Sequence, residues 1–277
     1  MSVDHYENFP VASWLCPPRL RQPITAIYHF ARTADDLADE GQAAPAQRLA
    51  DLSQYRQDLQ AVLAGHRPGP RWPRVFDGLA QQLRAFALPP HLLHDLLNAF
   101  EQDVQNPRYA DRASLLGYCR LSANPIGRLL LHLYGIEDEA SLRQSDAICS
   151  ALQLINFWQD LSRDLPNGRC YIPTSDLMQH HLSWPDNMPK HDTAQTRRLI
   201  RDLADWSRRL MAQGAPLATR VPGRAGWELR LVVQGGLRIL EKISAMDHST
   251  LNRRPRVGFL DAPLLLWRAC TMPKAAT

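Results

Sequence analysis

Oxygen-bearing side chains recur at four-residue intervals in two separate stretches of the sequence, and that interval commits both stretches to helix. In Asp35-Asp36-Leu37-Ala38-Asp39-Glu40, Asp35 and Asp39 stand at i and i+4. In Asn156-Phe157-Trp158-Gln159-Asp160-Leu161-Ser162-Arg163-Asp164, an amide and two carboxylates stand at i, i+4 and i+8. Residues four apart share one helix face, with Cβ atoms about 5–6 Å apart. Like charges at that spacing cost about 0.2–0.5 kcal/mol per pair unless a cation sits between them. One such run alone reads as a solvated helix face. The second run is harder to read that way, because it continues the apolar Ala151-Leu152-Gln153-Leu154-Ile155, where a polar group must find a partner or a metal. Magnesium is held by one or two carboxylates, with waters and substrate phosphates completing its shell. Two facing rows of this kind would bracket a diphosphate through a cluster of such ions.

The rest of the periodicity is helical nearly throughout, without alternating segments between Asn-Gly or Asp-Gly turns. Helices are expected over 21–40, 46–64, 73–86, 89–104, 115–134 with a break at Asn124-Pro125, 139–161, 196–213 and 226–246. Proline near a first turn opens several of them. Residues 168–193 read as one long loop, and 257–270 as a short apolar segment. No internal repeat or low-complexity linker is evident, so the expectation is one all-α domain spanning 1–277.

Charge excludes one partner class. With 32 basic against 28 acidic residues and a net charge of +4, the chain is too mildly basic to argue for nucleic acid. Lysine occurs only at Lys190, Lys242 and Lys274, and the remaining basic residues are arginine, which suits bidentate phosphate contacts. The five cysteines (Cys16, Cys119, Cys149, Cys170, Cys270) have no CxxC spacing and read as reduced thiols of a cytoplasmic protein. The first residues are polar, so no signal peptide is expected. No apolar run reaches the roughly 18 residues that span a bilayer. Peripheral contact with an inner membrane stays open.

Several motifs, in order along the chain, resemble the squalene and phytoene synthases. Arg32-Thr33-Ala34-Asp35-Asp36-Leu37-Ala38-Asp39-Glu40 is similar to the first aspartate-rich motif of that family. Tyr118 to Gly127 is similar to its tyrosine-containing helix, and Gln153 to Asn156 with Asp160 and Asp164 to its second metal motif. Gly168-Arg169-Cys170-Tyr171-Ile172-Pro173 is similar to the flap that follows. Within the family, the segments 5–14 and 156–160 most resemble the hydroxysqualene-forming branch of bacterial hopanoid biosynthesis. Two departures from the usual pattern fit that branch. Gln159 stands where arginine usually precedes the central aspartate, and Gly236 where members that make the cyclopropane intermediate often carry tyrosine.

The resemblance implies a helical isoprenoid-synthase fold with a central cavity, acting on presqualene diphosphate to give hydroxysqualene. It implies Mg2+, with Mn2+ as an alternative, and no NADPH. Asp35, Asp39, Asn156, Asp160 and Asp164 are the candidate metal ligands. Asp36 points about 100° away from Asp35 on an ideal helix and is expected behind them. Arg32 either contacts diphosphate or pairs with the acidic row; Arg169 is either a clamp on the flap or a loop ion pair. Arg253, Arg254 and Arg256 form a basic cluster, of which Arg254 is the candidate phosphate ligand. Tyr118 is assigned to the cavity by the resemblance alone.

A carbocation needs aromatic faces around it. Phe9, Trp14, Phe157 and Trp158 are candidates, each with simple core packing as the alternative. Quenching needs one placed water, for which Gln153, Asn156 and Asn124 are candidates. His180, His181 and His191 lack zinc-ligand spacing and read as loop residues. Val257 to Trp267, beside the arginines, suits either a bilayer surface or a last packed helix. Contacts with other enzymes of a pathway are left open. Two other readings compete: head-to-head condensation of two prenyl diphosphates, and a non-catalytic binding or assembly factor.

Overall fold

A computed structural model describes residues 16–273. The chain divides into two compact units, Met1–Pro107 with Arg120–Asp138, and Arg108–Cys119 with Glu139–Thr277. All regular elements among the described residues are helical.

In the first unit, α1 (Pro18–Asp39), α2 (Pro45–Leu63), α3 (Pro73–Phe86) and α4 (Pro90–Gln105) all open on proline. A first-turn N–H has no helical partner, so its loss there costs nothing and the fixed φ favours helix entry. The expected start of α1 at Arg21 falls three residues late, and Pro23 lies on the helix's buried face. Leu20, Ile27, Phe30, Ala34 and Ala38 continue that face at helical spacing and turn it into the core. Phe30, Tyr55 and Phe76 pack there with ring centroids 4.7–6.2 Å apart. The Tyr55 hydroxyl donates to the Phe30 carbonyl at 3.1 Å, and burial pushes its pKa far above the ordinary phenol value. α5 (Arg112–Ser122) starts in the second unit, and α6 (Asn124–Leu133) belongs to the first. The break between them falls at Ala123, one residue before the expected Asn124-Pro125, and Pro125 sits in the first turn of α6, where its missing N–H is tolerated.

The second unit is built on α7 (Glu139–Gln159). α8 (Leu161–Asp164) follows it directly, and α9 (Thr174–Gln179) is a short helix inside the stretch that reads as loop from the sequence. α10 (Ala194–Gly214) starts from a capping box in which Thr193 Oγ1 accepts from Thr196 N at 3.2 Å. α11 (Leu217–Arg220), α12 (Gly223–Ala245) and α13 (Ala262–Thr271) complete it. α10 crosses α7 so closely that a Cβ at Gly214 would lie 2.5 Å from the Gln144 carbonyl oxygen. Only glycine fits there. Trp158, fully buried, donates Nε1–H to Ser207 Oγ at 2.8 Å and ties α7 to α10.

Candidate active site

In the first unit, the buried face of α1 leaves its acids on the partly exposed side. Asp35 and Asp36 are half-buried and Asp39 is exposed. Arg32 supplies the cation that the row needs. Its Nη1 lies 3.0 Å from Asp35 Oδ2, and its Nη2 lies 2.7 Å from Asp36 Oδ1 and 2.6 Å from Glu40 Oε1. Of the two roles open to Arg32, pairing with the row is the one seen here. Asp36 has its pKa raised, first by burial, against the lowering effect of Arg32.

In the second unit, α7 buries Ala151, Leu154, Ile155 and Trp158, leaving Gln153 and Asn156 on a less buried stripe that Asp160 and Asp164 continue. The row does not lie on one unbroken helix: α7 ends at Gln159 and Asp160 heads α8 with φ −100° and ψ 8°. Backbone bonds Asp160 N→Asn156 O and Asp164 N→Asp160 O, both 2.9 Å, nevertheless keep the four-residue spacing. The carboxylate of Asp160 is held by Arg254 through a short contact from Nε and a 3.2 Å bond from Nη2. The Arg254 side chain is only 7% exposed, so the basic cluster is divided: Arg253 and Arg256 face solvent while Arg254 reaches inward. Burial, reinforced by the charge of Asp160, raises the Asp164 pKa to about 7.

Gln159 is buried and donates Nε2–H to the Pro255 carbonyl at 2.8 Å. It thereby fixes the strand of chain that carries Arg254. Neither this role nor that of Arg108 is readable from the sequence. Arg108 donates Nη2–H to the Ile172 carbonyl at 3.3 Å and makes a shorter bond from Nη1 to the Cys170 carbonyl, which pins the flap. The flap is also tied to α8 through Arg169 N→Asp164 O at 2.9 Å. Its Tyr171 ring stacks on Phe157 with centroids 3.8 Å apart and planes at 6°. Tyr118 is buried against both rings, at 6.2 Å from Phe157 and 6.1 Å from Tyr171. Tyr171 was visible only as part of the flap motif.

The other candidates fall as follows. Trp158 is core. Asn124 is buried in the first unit. His180 lies 2.9 Å from Asp202 Oδ2 and His191 3.1 Å from Asn252 Oδ1, so each has a local polar partner. Phe9, Trp14 and the whole 5–14 segment lie outside the described residues. Among the described residues, no three His, Cys, Asp or Glu side chains are gathered as a ready metal site. The donors fit magnesium in kind, being hard carboxylate oxygens, and the raised Asp164 pKa is what a nearby cation would relieve. Each row needs phosphate or water oxygens to complete a shell.

Comparison with known proteins identifies the family and the fold. The squalene/phytoene synthase family model matches residues 3–261. The chain belongs to that family. It is 35% identical to the hydroxysqualene synthase of Sinorhizobium fredii over 94% of this chain and 86% of that one. To the hydroxysqualene synthase of Rhodopseudomonas palustris it is 34% identical, over 87% and 80% of the two chains. The crystal structure of squalene synthase HpnC from Alicyclobacillus acidocaldarius superposes with a TM-score of 0.80 at 36% identity, covering 88% of this chain and 90% of that one. The fold is thus the helical isoprenoid-synthase fold that the motifs imply. No helix among the described residues is long and apolar enough to cross a membrane.

Proposed function

We propose that this squalene/phytoene synthase family member converts presqualene diphosphate and water to hydroxysqualene and diphosphate. The observation that carries the reading is Gln159. Where the usual pattern has an arginine beside the diphosphate-binding aspartates, this chain has a buried neutral amide, spent on the Pro255 carbonyl. The names of the two relatives support the same branch. A site with one fixed cation fewer suits ionisation of a single diphosphate better than the handling of two.

Asp35, Asp39, Asn156, Asp160 and Asp164 would hold Mg2+, which when bound supplies Lewis-acid stabilisation of charge on the departing diphosphate. Arg32, Arg169 and Arg254 would contact phosphate oxygens, with the Arg254 guanidinium suited to bidentate contact. The C–O bond breaks with its electron pair leaving on diphosphate. The quadrupoles of Tyr118, Phe157 and Tyr171 are suited to the resulting cation. Gln153 or Asn156 would orient one water, whose oxygen bonds to the carbon as its proton is lost.

The test is incubation with presqualene diphosphate and magnesium in water enriched in heavy oxygen, with no nicotinamide cofactor. A labelled alcohol supports the reading. An unlabelled alcohol means attack at phosphorus, and a hydrocarbon formed only with cofactor means complete squalene synthesis; either defeats it. Presqualene diphosphate formed from farnesyl diphosphate alone would favour the condensing enzyme instead.

A further inference from the structure

The outer face of the C-terminal segment departs from the pattern of its neighbours. α10 turns Arg198, Arg201, Asp205, Arg208 and Arg209 to solvent, as a surface helix should. α13 instead exposes Pro263, Leu266, Trp267 and Cys270, an i, i+3, i+4, i+7 stripe, while its opposite side buries Ala269. Just before it, Phe259 and Leu260 are each 92% exposed, and Leu266 and Trp267 are 53% and 63% exposed.

These residues are held outward by the turn that carries them. Asp261, itself buried, accepts hydrogen bonds from Gly258 N at 2.7 Å, Arg238 Nε at 2.8 Å and Lys242 Nζ at 2.6 Å. The turn from Phe259 to Asp261 is therefore locked to α12, and the Phe-Leu pair is presented at small further cost in ordering.

Charge distinguishes among occupants. From Leu251 to Thr277 the only acidic residue is Asp261, and that carboxylate is consumed within the fold. Arg254 and Arg268 are turned inward to Asp160 and Glu241. Arg253 and Arg256 remain exposed, with no carboxylate partner among the described residues. A second copy would place the same patch against itself and bring arginine to arginine with no acid left in the 251–277 segment to offset them. An anionic lipid surface meets both demands, since aromatic and aliphatic side chains enter the headgroup boundary while cations sit on lipid charge.

We propose that Phe259, Leu260, Leu266 and Trp267, flanked by Arg253 and Arg256, form a peripheral docking face for an anionic bilayer. The test is flotation of the full chain with vesicles of phosphatidylcholine alone and of phosphatidylcholine with 30% phosphatidylglycerol, about 0.1 M salt being enough to limit long-range attraction. Binding to the anionic vesicles is expected. Phe259→Ser/Leu260→Ser should lower the partition coefficient at least about tenfold, because two exposed apolar anchors are removed. Arg253→Gln/Arg256→Gln should lower it about 30-fold on anionic vesicles, at about a fivefold effect per cation. Sedimentation of the wild-type chain and the serine variant reports self-association. No wild-type binding, or equal binding by the serine variant, overturns the proposal. So does a dimer that the serine substitutions dissolve without any wild-type vesicle binding.

Discussion

Adjacent glycines on α12 provide a matched test of how tightly the second unit is packed behind its acidic row. A Cβ at Gly235 would meet nothing within 4 Å, whereas one at Gly236 would lie 2.9 Å from Leu152 Cδ2, 3.0 Å from Met211 Cε and 3.4 Å from Ile155 Cδ1. Both positions are inside the same helix, so alanine gains about 0.5–1 kcal/mol of helix propensity at each. At position 236 the new carbon falls well inside the 3.5–4.0 Å optimum for carbon pairs. Overpacking costs about 1–3 kcal/mol, and because the obstructing atoms are tips of flexible side chains, the lower half of that range applies. Gly235→Ala should therefore stabilise by about 0.5–1 kcal/mol, and Gly236→Ala should fall about 1–2 kcal/mol below it. Urea unfolding followed by circular dichroism, with m values held equal, measures the difference. Equal stabilisation by both alanines would show that α12 is not seated on Leu152 and Met211. Leu152 lies one turn before Asn156, so a side chain as large as tyrosine at position 236 would force α7 to shift. Gly236 is thereby part of the geometry that seats α7.

Asp160→Asn should abolish turnover while the protein remains folded. It should also cost about 3–5 kcal/mol, because Arg254 loses the anion that accompanies it into a buried position; Asp160→Asn/Arg254→Gln should recover part of that stability without recovering turnover, and near-normal turnover of the single variant at saturating magnesium would remove Asp160 from the metal set. Arg108→Ala should loosen the flap, raising amide hydrogen exchange at Cys170 to Ile172 well above its rate in the wild type, and unchanged exchange would show that the single backbone bond from Arg169 to Asp164 suffices. Asp164 sets a pH dependence whose sign follows from its raised folded pKa: between about pH 4 and 7 the metal-free folded state binds the extra proton, so stability falls as pH rises through that window. Asp164→Asn should accordingly gain on the wild type by about 1–2 kcal/mol more at pH 8 than at pH 5, a figure reduced for the partial exposure of the group; equal gains at both pH values would place Asp164 in an environment no different from water.

The long helices were legible because each repeats an apolar face over several turns, and α3 begins and ends where its proline and its apolar run say it should. Legibility failed where a backbone depends on contacts distant in sequence. α9 is too short to show a period, and Arg112, 64 residues earlier in the chain, makes the ion pair with Asp176 at 2.6 Å that anchors it. The end of α7 was placed two residues late for a related reason. Asp160 leaves helical geometry where Arg254 and the Gln159–Pro255 bond hold it, and both partners lie nearly 100 residues downstream.

The same limit governs the candidate site. Residue types and intervals named the two acidic rows, because oxygen donors at four-residue spacing have few uses on a partly apolar helix. They could not reveal which side chains balance each row. On α1 the balancing cation is local, Arg32 one turn before the acids. On α7 it comes from the far end of the chain, where Arg254 turns inward while Arg253 and Arg256 stay in solvent. The two rows thus differ in how much must be rearranged before carboxylate oxygens can meet a metal ion. Arg32 is exposed enough to swing away into water, whereas Arg254 is buried and must exchange Asp160 for another anion. Under the proposed function a diphosphate would be such an anion, and pairing with Arg254 would free the Asp160 carboxylate to hold a metal ion. Under that order of events, magnesium affinity of the second row should rise when diphosphate is present, and Arg254→Gln should remove that dependence.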